Sequence, residues 1–281
     1  MINYNGQLLE NNANFLNGAN RGLRYGDALF ETIRVVNNKI FFWEPHYLRL
    51  MASMRILRMD IPMDFTMEFL QQQIENTIEN NELQDQAVRV RFTVFRENGG
   101  LYTPATNNVL YIIEAKKIEN PFYVLNTQPY EVELFKDHYV NSGLLSTLKS
   151  NNKIVNVLAG IFAEENGYDN CLLVNEHKNV IEATNGNLFL VKGHTVKTPP
   201  ITEGCLNGVL RKQLIDIIEK TEGLEIAEAV ISPFELQKAD ELFLTNVISG
   251  ITSITKYRKK LYTNEVAKQL LGRLNAKARL I

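Results

Sequence analysis

Asn141-Ser-Gly-Leu-Leu-Ser-Thr-Leu-Lys149-Ser-Asn-Asn152-Lys-Ile-Val-Asn-Val-Leu-Ala159 is the stretch on which the reading of this chain turns. A polar segment with one glycine gives way to a short run that ends in Lys149. A helix is expected at once, over residues 152–166. A lysine delivered to such a place acts as a nucleophile when its site is partly desolvated. It is equally an ordinary surface lysine if its stem lies on the protein and its charge stays in water. Lys153 lies one turn on, and spacing alone does not choose between the two.

Ahead of this stretch the pattern is strand, then helices, then strands. Residues 2–9 read as a hairpin around Asn5-Gly6, the strongest short turn signal. Arg21-Gly-Leu-Arg-Tyr-Gly-Asp27 reads as a glycine-punctuated loop. Residues 30–36 alternate as a strand, Asn37-Asn38 turns it, and residues 39–42 return. Glu44-Pro45-His46 opens a helix, since proline is tolerated in a first turn. Tyr47, Leu50, Met51, Met54 and Leu57 form its apolar face. Asp64 is the expected N-cap of a second helix running to about Asn80. Val88-Arg-Val-Arg-Phe-Thr-Val-Phe95 alternates, with Val88, Val90, Phe92 and Val94 on one face. Arg89, Arg91, Thr93 and Phe95 take the other. Residues 109–115 give another strand, and Asn120-Pro121 punctuates the chain.

Beyond residue 166 the expected elements are strands at 169–175 and 180–191, forming a hairpin, and a helix at 206–221. Strands at 224–229, 241–245 and 251–257 follow, then an amphipathic helix over 263–281. Strands and helices mix without a clean βαβ rhythm, so the fold class is α+β. The expected division is an N-terminal domain over 1–119, a linker over 120–125 and a C-terminal domain over 126–281 that carries Lys149.

Composition excludes several classes of function. The chain has 281 residues, 45% of them apolar, with a net charge of −2. No basic stripe suggests nucleic acid and no cationic helix suggests a membrane surface. Leu188-Phe-Leu-Val191 is far too short to span a bilayer. The opening Met-Ile-Asn-Tyr-Asn-Gly lacks the charged and apolar regions of a signal peptide. Cys171 and Cys205 are too few for a disulfide framework or a zinc site. A cytoplasmic protein with reduced thiols is the expectation. There is no P-loop, no metal-ligand cluster and no G-x-S-x-G elbow. The four histidines, His46, His138, His177 and His194, are scattered and read as structural or exposed.

Three further stretches carry chemical possibilities. Val180-Ile-Glu182-Ala-Thr-Asn-Gly-Asn187 ends an apolar run in one acid, which can hold a protonated heterocyclic nitrogen. It also reads as a polar turn. Thr202-Glu-Gly-Cys-Leu206-Asn-Gly208-Val209 leads into a helix whose first N–H groups suit an anion. His46 and Arg49 are three apart and share a helix face, and an arginine fork suits a phosphate. That face is otherwise a solvated one.

The order of these stretches resembles the class IV pyridoxal-phosphate aminotransferase family, of fold type IV. That family includes branched-chain and D-amino-acid aminotransferases and 4-amino-4-deoxychorismate lyase. The resemblance covers essentially the whole chain. It is carried by Arg21-Gly-Leu-Arg-Tyr-Gly-Asp-Ala-Leu-Phe-Glu31, His46-Tyr-Leu-Arg-Leu50, Lys149-Ser-Asn-Asn152 with Asn156-Val-Leu-Ala159, residues 182–189, Leu206-Asn-Gly-Val-Leu-Arg211 and Thr245-Asn-Val-Ile-Ser-Gly250. It implies two α/β domains with pyridoxal 5'-phosphate between them, and a homodimer. It implies that Lys149, followed by Ser-x-Asn, bears the cofactor, rather than Lys153. Glu182 matches the acid at the ring nitrogen, Arg49 the phosphate arginine and Leu206 the side chain on the ring. Gly208 and Val209 match the helix start at the phosphate; Asn187, Asn246 and Ile248 complete the cofactor set.

The substrate is less sharply drawn. Leu101 and Thr103 fall where D-amino-acid aminotransferases resemble one another in an Arg-x-His, so that carboxylate trap is absent. Gly99-Gly100 and Thr245-Asn246 look more like the lyases, and the Gly-Thr-rich branched-chain pattern near 245–250 is absent. Leu210 and Ile248 replace threonines that several aminotransferases use at the phosphate. Arg24, Phe30, Arg89 and Arg91 are the candidates for substrate binding, with Arg91 and Arg24 foremost for the carboxylate. The implied activity is transfer of an amino group from an amino acid to a 2-oxo acid. The alternative is release of pyruvate from aminodeoxychorismate. A non-catalytic binding relative is a third reading, opposed by the joint presence of Lys149, Glu182 and Arg49.

Overall fold

The computed structural model describes residues Met1–Leu280, which pack as two units. Unit 1 is Met1–Pro121 with Lys149–Asn152, and unit 2 is Phe122–Leu148 with Lys153–Leu280. The expected division put Lys149 in the C-terminal domain. By packing, the short segment that holds it groups with unit 1.

Unit 1 contains β1 (Ile2–Tyr4), β2 (Gln7–Leu9), α1 (Arg21–Tyr25), β3 (Ala28–Val36), β4 (Lys39–Ile40), α2 (Trp43–Ile56), α3 (Met67–Glu79), β5 (Ala87–Arg96) and β6 (Val109–Lys117). Its six strands order as β2-β1-β6-β5-β3-β4, every pairing antiparallel. Val88, Val90, Phe92 and Val94 are fully buried on one face of β5. Leu50 and Met54 of α2 and Leu70, Ile74 and Ile78 of α3 are buried with them in the core of this unit.

The hairpin at Asn5-Gly6 and the turn at Asn37-Asn38 both use positive φ angles, as tight two-residue turns require. Three local expectations change. Residues 21–25 are helical, because Asn20 accepts the Leu23 N–H at 2.9 Å and Gly26 ends the turn with φ at 64°; so short a helix shows no periodicity. Thr66, not Asp64, caps α3, accepting the Phe69 N–H at 3.1 Å. The return strand stops at Ile40, because Phe42 adopts φ of 56° and starts α2.

Unit 2 contains β7 (Glu131–Val140), α4 (Ile154–Glu165), β8 (Asn170–Asn175), β9 (Val180–Ala183), β10 (Gly186–Lys192), β11 (Thr195–Thr198), α5 (Val209–Glu219), β12 (Glu225–Glu228), α6 (Pro233–Lys238), β13 (Glu241–Asn246), β14 (Gly250–Ile254), β15 (Lys256–Tyr257), β16 (Lys260–Leu261) and α7 (Glu265–Leu280). The sheet runs β12-β11-β10-β9-β8-β7-β15-β16, with β13 pairing both β10 and β14. It is mixed: β7 lies parallel to β8 and β11 to β12, while β8, β9 and β10 are antiparallel. The single strand expected over 180–191 breaks at Thr184-Asn185, where β9 turns back as β10. That break puts Glu182 directly opposite Asn187, and Asn187 directly opposite Thr245 of β13.

Candidate active site

The lysine lies in extended chain, not in a helix. Ser150 bridges Leu29 of β3 in antiparallel fashion. The Phe30 N–H donates to the Lys149 carbonyl at 2.8 Å, and the Asn151 N–H to the Ala28 carbonyl at 3.0 Å. Two backbone hydrogen bonds therefore fix the main chain on either side of Ser150, leaving only the Lys149 side chain adjustable. Gly26 lets this segment approach: a Cβ there would stand 2.4 Å from Asn152 Oδ1.

Phe30 gathers two cations. Lys149 Nζ stands 4.4 Å from its ring centroid and Arg91 Cζ 3.9 Å. The β3–β5 register explains this, since Phe30 pairs with Thr93 and Thr32 with Arg91, making Phe30 and Arg91 diagonal neighbours on one face. Arg91 is half-buried and faces Glu114 across β6. Burial lowers its pKa from the usual arginine value, against the pull of Glu114. The other arginine candidates stand elsewhere. Arg89 is exposed. Arg24 is exposed too, its Nε donating to the Gly18 carbonyl at 2.5 Å.

On β3 the next side chain points to the opposite face. Glu31 is 2% exposed. His46 Nδ1 lies 2.7 Å from its Oε2, and Arg49 donates from Nε to Oε1 at 2.8 Å and from Nη2 to Oε2. Burial alone would raise the Glu31 pKa; the Arg49 charge and the hydrogen bond from His46 outweigh it and bring it down to about 2. Burial lowers the pKa of His46, and the Arg49 and Lys149 charges add to this, against Glu31. His46 is therefore neutral at pH 7 and Glu31 ionised. Glu31 appears in the sequence motif without a role. Its signal was an acid at an inward position of an apolar strand, which needs a cation, together with His46 and Arg49 three apart.

The second acid belongs to unit 2. Glu182, 6% exposed, accepts the Leu206 N–H on Oε2 at 2.8 Å. Asn187 Nδ2 donates to the Leu206 carbonyl at 2.8 Å. One peptide segment is thus held at its N–H by Glu182 and at its carbonyl by Asn187, two residues that face each other across β9 and β10. The Asn207 N–H adds a bond to the Thr147 carbonyl at 3.1 Å. Helix α5 starts immediately after, with Gly208 as N-cap and no capping side chain. A Cβ on Gly208 would fall 2.0 Å from Asn187 Oδ1. Leaving these first N–H groups without a side-chain partner suits an incoming anion. At the end of β13, Asn246 Oδ1 accepts the N–H groups of Ile248 at 3.0 Å and Ser249 at 2.9 Å. Ile248, expected in the cofactor set, donates its N–H to this turn.

Within unit 1 an amine on a fixed backbone and an arginine, and within unit 2 a buried carboxylate and an uncapped helix start, are groups of the kinds that suit a phosphorylated pyridine aldehyde. The family model for amino-transferase class IV matches residues 28–257. The chain belongs to that family. A protein of Methanocaldococcus jannaschii named "Putative branched-chain-amino-acid aminotransferase" is 28% identical over 98% of this chain and 94% of its own length. The aminodeoxychorismate lyase of Vibrio harveyi is 24% identical over 84% of each. The branched-chain amino acid aminotransferase of Thermobaculum terrenum, solved in its PLP form, superposes with a TM-score of 0.83 at 23% identity. That match covers 97% of this chain and 91% of the other, and it fixes the fold: a two-domain, mixed helix-and-sheet architecture of type IV.

Proposed function

We propose that this chain is a pyridoxal-phosphate aminotransferase that moves an amino group between an amino acid and a 2-oxo acid. The observation that carries the reading is the fixed Lys149 backbone beside β3, with Nζ and Arg91 on the Phe30 ring. When bound, the cofactor supplies an electron sink for the carbanion formed at the substrate α-carbon. Lys149 Nζ would hold the cofactor and, once exchanged for the substrate amine, would take the α-proton and deliver it to the cofactor carbon it had been bound to, so that the amino group leaves the substrate. Glu182 would face the ring nitrogen and keep a proton on it. Arg49 and the first N–H groups of α5 are the groups that would hold the phosphate, and Leu206 is the side chain that would pack on the ring. Arg91 meets the substrate carboxylate; Arg89 and Arg24, both exposed, stand behind it as candidates.

The reading includes a homodimer in the cytoplasm. Ile154, Val157 and Ile161 support the dimer: all three are exposed and recur along one face of α4. Two buried, unbridged cysteines support a reducing compartment. No described helix is long and apolar enough to cross a membrane.

The lyase reading draws on the Asn246 turn and on the similarity to the Vibrio protein. Separate incubation of the yellow holoprotein with D-alanine, L-leucine, L-glutamate and D-glutamate decides between the two. Bleaching by one of them with release of its 2-oxo acid supports transamination and gives the hand of the substrate. No bleaching by any, with pyruvate released from aminodeoxychorismate, contradicts it in favour of the lyase.

A further inference from the structure

We infer that Glu31 and His46 are positioning residues that aim the Arg49 guanidinium and so set how strongly this protein prefers a phosphorylated pyridine ligand to its unphosphorylated form. The inference rests on the reading of Arg49 as the phosphate arginine.

An arginine on a helix has four rotatable bonds between its backbone and its charge, and ordering them is entropically costly. Here the guanidinium is fixed by a residue of another element. Glu31 on β3 takes the Nε–Nη2 edge of Arg49 on α2 in a two-pronged fork. A fork fixes the plane of the guanidinium as well as its place. Nη1 lies outside this fork, so its direction is set by the plane that Glu31 imposes.

His46 completes the arrangement. It lies one turn before Arg49 on α2 and meets the same Glu31 oxygen as Arg49 Nη2. As a neutral ring it donates from Nδ1. Its Nε2 is buried with no partner among the described residues, which fits that tautomer, because an imidazolium would bury an unmatched N–H. The carboxylate therefore has a donor from each neighbour and cannot turn toward either alone. Glu31 and His46 act only through Arg49.

Glu31 also neutralises Arg49, so the two effects of removing it oppose each other. If net charge governed phosphate binding, Glu31→Gln would strengthen the phosphate preference by unmasking a cation. If aim governs it, the same change weakens the preference. The geometry points to aim.

The experiment titrates the apoprotein separately with pyridoxal 5'-phosphate and with pyridoxal, and takes the ratio of the two dissociation constants. In Arg49→Ala the ratio is expected to collapse. In Glu31→Gln it falls by about tenfold or more, the scale of a lost charge-assisted hydrogen bond, while pyridoxal binds as in the wild type. His46→Asn keeps a donor near the Nδ1 position and retains the ratio; His46→Leu lowers it. A ratio unchanged or raised in Glu31→Gln overturns the inference, and so does equal weakening of both ligands. A wild-type ratio in Arg49→Ala removes the underlying reading of Arg49 instead. Should Glu31→Gln not fold, the His46→Asn and His46→Leu pair decides: equal ratios overturn the inference.

Discussion

Replacing Glu31 by Gln removes one charge at nearly constant volume, and the structure sets the size of the effect. The Glu31 pKa falls from 4.5 to about 2 in the folded chain, which corresponds to about 3 kcal/mol of stability. The folded value is the depressed one, so this contribution is complete above the unfolded pKa and is lost as pH falls toward the folded pKa. About 1 kcal/mol of it is gone at pH ~4 and about 2 kcal/mol at pH ~3. The apoprotein is therefore expected to unfold in urea at a lower midpoint in Glu31→Gln than in wild type at pH 7, with the gap closing through that acid range. The chain has one tryptophan, Trp43, buried at the start of α2 three residues before His46. Its fluorescence follows unfolding next to the perturbed cluster. Coincident midpoints at pH 7, or a gap that stays constant down to pH 3, would refute the pairing as a source of stability.

Other substitutions test separate parts of the structure. Gly208→Ala puts a methyl 2.0 Å from Asn187 Oδ1; the loss expected by thermal unfolding is about 1–3 kcal/mol, and it should shrink in the Asn187→Ala background. Gly100→Ala combines a φ of +72° with a Cβ 2.1 Å from the Thr103 carbonyl oxygen. That backbone cannot relax locally, so a loss of about 1–3 kcal/mol is expected; an unchanged melting temperature would contradict it. Arg91→Ala should raise KM for both amino acid and 2-oxo acid by about tenfold or more while the protein keeps its yellow cofactor. Unchanged kinetics would remove Arg91 from the carboxylate.

The parts of the fold legible in the sequence were those where one period dominates. The alternation of residues 88–95 and the apolar stripe of α2 needed no tertiary information, because each repeats often enough to fix a face. Short elements escaped. Helix α1 depends on a cap and a terminator rather than on periodicity, and the β9–β10 turn falls inside one apolar run that reads as a single strand. Strand β7 is masked by Lys136-Asp-His-Tyr139, whose side chains are exposed at its end. In the site, single residues were easier to find than their partners. Glu182 stands out as an acid closing an apolar run, but its bond to the Leu206 N–H spans 24 positions. Arg49 was legible as an anion ligand, yet the carboxylate that holds it sits 18 positions earlier, beside the more conspicuous Phe30. Composition does not encode such long-range pairing, which arises only when α2 packs on β3 and the segment before α5 returns to β9.

The proposed aminotransferase activity begins with Lys149 as the residue that carries the cofactor. Reduction of the holoprotein with borohydride, followed by digestion and mass spectrometry, tests this directly. The phosphopyridoxyl group is expected on the peptide containing Lys149, at that residue, and none in Lys149→Ala. The group on Lys153 instead, or undiminished labelling in Lys149→Ala, would contradict it.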